Sequence, residues 1–141
     1  MNTERYTAEQ YKAHMAKRQH RKRQIPAPYR SMLEVRYAEY LEAKRLIGEI
    51  KAWSYEPDEF PITFNGKPII YVPDFRVEYN DGRIERHETK FVHYRDKKGK
   101  KRAVQQAKVG MLKLKIAADR YPEETWILVE MVKGRWIKTE Q

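Results

Sequence analysis

Tyr71-Val-Pro-Asp-Phe-Arg-Val-Glu-Tyr-Asn80-Asp-Gly-Arg-Ile-Glu-Arg-His-Glu-Thr-Lys90 is the stretch on which the fold and chemistry of this 141-residue chain turn. Its halves alternate as strands do. Asn80-Asp81-Gly82 between them suits a three-residue hairpin loop, a type I turn followed by a left-handed glycine. That loop sets Tyr79 opposite Arg83. Continuing the ladder, Val77 faces Glu85, Arg76 faces Arg86 and Asp74 faces Glu88. One face then reads Asp74, Arg76, Glu78 against Ile84, Arg86, Glu88, Lys90, because side chains alternate along a strand. Phe75, Val77 and Tyr79 point the other way. A two-residue Asp81-Gly82 loop would set Phe75 against Glu88 and split the charged cluster, so the first register is preferred.

Directly opposed residues have Cβ atoms about 5 Å apart. Two carboxylates that close repel unless positive charge stands between them. A hard divalent cation, Mg²⁺ or Mn²⁺, meets that need with one or two carboxylates plus waters and substrate phosphate. Lys90 adds an ammonium, suited to charge developing at phosphorus or to the attacking water. Together these are the minimum for metal-assisted phosphodiester hydrolysis. The same pattern also describes an ordinary cross-strand salt-bridge ladder, and spacing alone does not separate the two. His87 alternates to the opposite face and reads as a packed or surface histidine.

Working outward, Ser31-Met-Leu-Glu34 has the form of a capping box, and apolar residues recur from Leu33 at helical spacing, predicting a helix over 32–47 with Gly48 past its end. Ile50, Trp53 and Tyr55 mark a strand. Phe60–Phe64, Asn65-Gly66 and Ile69–Val72 make a further hairpin. Residues 95–102 read as a lysine-rich loop, followed by an amphipathic helix from Val104 to Tyr121. Trp126–Val132 is a near-continuous apolar strand of the kind buried on both faces, and a short strand around Trp136 follows. The expected class is α/β with a mixed sheet flanked by helices, in the order α-β-β-β-β-α-β-β. Residues 1–30 form a basic arm ahead of this 31–141 domain, helical over 8–23 behind the Thr7 capping box. Trp53, Trp126 and Trp136 read as core residues.

Charge is unevenly placed within the net +10. Residues 1–30 carry eight Lys/Arg against two Glu, and residues 95–115 nine against one Asp. The remainder is net acidic. Basic stretches around a carboxylate-bearing middle suit a polyanion, since each neutralised phosphate releases counterions. The nucleic-acid-binding candidates are Arg18, Arg21, Lys22 and Arg23 in the arm, Lys97, Lys98, Lys100, Lys101 and Arg102 in the loop, and Lys108 and Lys115 on the following helix. A solvated basic surface is the alternative. The absence of cysteine excludes disulfides, thiolate-zinc sites and cysteine nucleophiles. No apolar run approaches the ~20 residues of a membrane span, so the expectation is a soluble, cytoplasmic protein that does not engage a membrane.

The pattern Tyr-Val-Pro-Asp-Phe, strand, turn, strand, Glu-Thr-Lys resembles the core of PD-(D/E)xK nucleases. Residues 30–122 resemble phage-encoded Holliday-junction resolvase-like endonucleases and a related phage family catalogued only as a domain of unknown function. The resemblance implies a restriction-endonuclease-like core and a Mg²⁺- or Mn²⁺-dependent endodeoxyribonuclease acting on branched DNA. It implies metal binding by Asp74 and Glu88, catalysis assisted by Lys90, and Glu34 on the preceding helix completing the metal site. Paired cuts at a four-way junction imply a homodimer. Family members usually have Gly after the catalytic Lys, where this chain has Phe91. That departure supports an alternative, a non-catalytic nucleic-acid-binding protein that keeps the fold.

Overall fold

The computed structural model describes residues 7–91, 93–95, 98, 101–103 and 105–141. For 17–23, 93–95, 101–103 and 105–107 it describes the backbone alone. Helix α1 (Ala8–Arg23) starts where expected. Thr7 and Gln10 exchange the two capping-box bonds, Gln10 N to Thr7 Oγ1 at 3.2 Å and Thr7 N to Gln10 Oε1 at 3.0 Å. Through Ala16 its side chains are exposed apart from the half-buried Met15. Helix α2 (Met32–Leu46) begins with Ser31 Oγ accepting from Glu34 N at 3.1 Å. It ends in a Schellman motif, with Gly48 N bonded to Arg45 O and Glu49 N to Lys44 O. Gly48 has φ +81°, the left-handed conformation this motif requires.

Strands β1 (Ala52–Tyr55), β4 (Phe75–Glu78), β5 (Ile84–Lys90), β8 (Thr125–Val132) and β9 (Arg135–Glu140) form one five-stranded sheet in the order β1-β4-β5-β8-β9. All neighbours are antiparallel except the parallel pair β5–β8. Helix α3 (Gln105–Arg120) lies on the crossover between them. The β4–β5 register is the expected one: Phe75 faces His87, Arg76 faces Arg86 and Val77 faces Glu85. Gly82 supplies the left-handed end of that loop, and its N–H bonds to Tyr79 O.

The chain is α/β with a mixed sheet, as expected, but the expected order of elements needs correction. Seven strands rather than four stand between α2 and α3 among the described residues, and two of them, β6 (His93–Arg95) and β7 (Lys101–Ala103), pair where a lysine-rich loop was expected. Strand pairing is made by the backbone, so a run of charged side chains does not prevent it. The hairpin of β2 (Phe60–Phe64) and β3 (Lys67–Tyr71) forms as predicted around Asn65-Gly66. It stands apart from the main sheet as a two-stranded sheet of its own.

Alternation along β8 divides the core. Ile127 and Val129 pack with Tyr37, Leu41, Phe75 and Val77 on the α2 side. Trp126 and Leu128 pack with Ile62, Tyr71, Leu114 and Ala117, on the side of α3 and the β2–β3 hairpin. All three tryptophans pack into these clusters, Trp126 fully buried and Trp53 and Trp136 partly. Buried Arg86 is held between Asp58 and Glu124, with its guanidinium over the Phe60 ring. Among the described residues no helix is long and apolar enough to cross a membrane.

Candidate active site

Asp74, Glu88, Lys90 and Glu34 line one cavity of about 470 Å³ at the end of the sheet. Asp74 directly precedes β4 and follows Pro73, which has no N–H to give to a ladder. Its carboxylate takes the place of a backbone acceptor. Thr89 N and Thr89 Oγ1 both donate to Asp74 Oδ2 at 2.8 Å. Glu88 is buried, with Tyr71 Oη donating to its Oε2 at 2.6 Å and Lys90 Nζ 3.0 Å from its Oε1. Lys90 therefore shares the Glu88 face, as strand alternation predicts. Glu34 arrives from the first turn of α2. Its Oε2 accepts from Arg30 N at 2.9 Å and from Tyr55 Oη at 2.7 Å.

Burial dominates the electrostatics. Asp74 and Glu88 are only 7% and 4% exposed. Burial, then the charge of Glu88, pushes Asp74 well above its ordinary 3.8, against the opposing pull of the Thr89 N–H and Lys90. Burial also raises Glu88 above its ordinary 4.5, although Lys90 and Tyr71 oppose the shift. For Lys90, burial acts to lower the ammonium, but Glu88 and Asp74 outweigh it and the net shift is upward. The site is thus a partly compensated anionic pocket, with Lys90 as the cation set against its two buried carboxylates.

A raised carboxylate pKa means that the folded state holds protons the unfolded chain has released. The associated stability is full below the ordinary values of 3.8 and 4.5 and is lost as pH rises through the raised ones. In chelator, Asp74→Asn should therefore unfold at a higher temperature than wild type at neutral pH, with the advantage shrinking on acidification. A pH-independent difference between the two proteins would contradict this charge balance. Tyr71→Phe should cost about 1.5–3 kcal/mol in urea denaturation, the range for a hydrogen bond to a charged group. A cost near zero would mean that the Tyr71–Glu88 bond is not formed.

No protein-family model, curated protein or solved structure matches this chain. The site is defined by its geometry alone.

Among the described residues, no three His, Cys, Asp or Glu side chains stand close enough together to hold an ion. Asp74 and Glu88 nevertheless fit a two-carboxylate cation site completed by waters and phosphate. Both are buried with raised pKa values, so added positive charge would relieve them. Both bonds that Asp74 accepts from described residues fall on Oδ2, and both that Glu34 accepts fall on Oε2.

The basic candidates separate from this cavity. Lys108 and Lys115 are exposed on α3 and do not line it, and Lys98 is exposed in the β6–β7 turn. Lys101 and Arg102 lie in β7, and Arg18, Arg21, Lys22 and Arg23 in α1, with their side chains outside the described residues. Lys97 and Lys100 fall wholly outside them. His87 is fully buried, bonded to Tyr37 Oη at 2.6 Å and Glu85 Oε1 at 2.9 Å, and burial lowers its pKa. Its role is packing.

Sequence reasoning missed Tyr71 and Thr89, which fix the two carboxylates, and Arg30 and Lys113, which line the cavity. For Thr89 a signal existed only in its backbone, since the register sets its N–H beside Asp74 while alternation turns its side chain to the other face. For Tyr71 none did, because its strand belongs to another sheet.

Proposed function

We propose that this chain is a metal-dependent DNA endonuclease that hydrolyses phosphodiester bonds, structure-specific for branched DNA such as Holliday junctions. The observation that carries the reading is the convergence of Asp74, Glu88 and Lys90 in one cavity, with Glu34 on its wall. The β4–β5 hairpin bearing the acids and the α3 crossover to parallel β8 support a restriction-endonuclease-like core. Asp74 and Glu88 would hold Mg²⁺ or Mn²⁺, and Glu34 faces the same space. When bound, the cation supplies Lewis-acid polarisation of the phosphate and a more acidic attacking water.

The remaining work belongs to the chain. Lys90 leaves Glu88 to stabilise charge on a non-bridging phosphate oxygen. Thr89 and Tyr71 hold the two carboxylates in place throughout. Arg30, whose side chain is 75% exposed, and Lys113, whose Nζ lies 5.3 Å from the Phe64 ring centroid, place positive charge on the cavity wall for the flanking phosphates. The basic stretches of α1 and the β6–β7 hairpin extend that attraction, a homodimer would deliver the paired cuts, and a phage-encoded protein working in a bacterial cytoplasm completes the proposal.

Phe91 favours a second reading. It is 54% exposed directly after Lys90, and its bulk would narrow the approach of a backbone in a protein that binds without cutting. Incubation of a labelled four-way junction, linear duplex and single strand in Mg²⁺, Mn²⁺ or chelator tests both. Metal-dependent cutting with preference for the junction is expected. Tight binding with no cutting in either metal would replace the first reading by the second.

A further inference from the structure

Gly48, Gly66, Gly82 and Gly134 have positive φ and open space where a Cβ would stand, so each has a backbone reason to be glycine. Gly110 is the opposite case among the described glycines. It sits inside α3, where glycine is the poorest residue apart from proline, and its φ is not positive. What occupies its Cβ position is Lys90. A methyl group at 110 would overlap Lys90 Cε and lie 2.8 Å from Nζ and 3.3 Å from Cδ.

We infer that Gly110 is a positioning residue for Lys90: the missing side chain on α3 is the groove in which the end of the lysine lies, with its ammonium at Glu88. The inference deepens the nuclease reading and, for its catalytic part, rests on it. Lys90 Cε and Nζ lie inside contact distance of the absent Cβ and Cδ lies at its edge, so any side chain at 110 displaces the end of the lysine. Glu88, 4% exposed, would then lose the cation 3.0 Å from its Oε1. Gly110 and Lys90 both line the cavity, so the redirected ammonium would leave the place where a phosphate would meet it. The helix tolerates a poor residue at this point because the lysine needs the room.

The test compares wild type, Gly110→Ala, Lys90→Ala and the double variant by thermal unfolding and by junction cleavage. In the Lys90→Ala background, alanine at 110 should raise the unfolding temperature by about 3 °C, the ordinary helix gain in a domain of this size. In the wild-type background that gain should be absent or reversed. Gly110→Ala should lower kcat about a hundredfold, the scale of a misplaced catalytic group, with KM within about twofold. The double variant should cleave no worse than Lys90→Ala alone. An equal temperature gain in both backgrounds, or an unchanged kcat in a cleaving protein, would overturn the inference. If wild type does not cleave at all, the nuclease reading fails, and the temperature comparison still decides whether Gly110 seats Lys90. If Gly110→Ala does not fold, recovery of folding in the double variant supports the inference and continued failure overturns it.

Discussion

Asp74→Ala should reduce metal-dependent junction cleavage by at least about a thousandfold, the several kcal/mol that a correctly held cation contributes. Junction affinity should stay within about threefold of wild type, because most phosphate-attracting charge lies outside the cavity. Two effects act together in this variant. The proposed cation would lose a ligand, and Thr89 N and Oγ1 lose the acceptor that ties β5 to the start of β4. Asp74→Asn separates them, since an amide oxygen still accepts from Thr89 while the charge is gone. Loss of cleavage in both variants, with unfolding below that of wild type only in Ala, identifies the charge as the catalytic element. Cleavage by Asp74→Ala within tenfold of wild type would remove Asp74 from the site.

Trp126→Ala should destabilise the protein by roughly 3–5 kcal/mol in urea denaturation, the range for truncating a large buried aromatic. That is a large fraction of the 5–15 kcal/mol typical of a folded domain. Trp126 is 1% exposed, makes an edge contact with Phe60 at 4.8 Å and donates from Nε1 to Tyr121 O at 3.1 Å. It also packs against Tyr71 at 6.1 Å, and Tyr71 holds Glu88. Loosening at 126 should therefore reach the site, and residual cleavage should fall more steeply with temperature than in wild type. A cost below about 1 kcal/mol would mean that the second core cluster is not cemented through this ring.

Much of the frame was legible because local chemistry specified it. Ser31 and Gly48 bracket α2 through a cap and a Schellman motif that depend only on neighbouring residues. Asn80-Asp81-Gly82 fixed the β4–β5 register, and with it the shared face of Glu88 and Lys90. Tertiary choices were not legible. A β2–β3 hairpin has the same sequence signals whether it joins the main sheet or packs on α3, so the Tyr71–Glu88 bond was hidden. The β6–β7 pair was masked by its lysines, which read as loop. Glu34 shows a mixed outcome. Its N–H donates the expected cap bond to Ser31 Oγ, but its carboxylate reaches back to Arg30 N and across to Tyr55, a contact set by how α2 meets β1.

The parallel pairing of β5 with β8 carries a consequence for biosynthesis. Residues 85–90 meet residues 125–130, roughly forty positions later, whereas β4 and β5 meet across a three-residue loop. Contacts of long sequence separation form late in folding. On a growing chain the acid-bearing hairpin can close early, but the strand bearing Glu88 keeps an open, wet edge until β8 has been synthesised and docked. Glu88 and Lys90 therefore reach their dry, paired state only after α3 and β8 are in place. A chain with this topology completes the Glu88–Lys90 pocket as one late step of assembly, and the chemistry proposed for that pocket would begin only then.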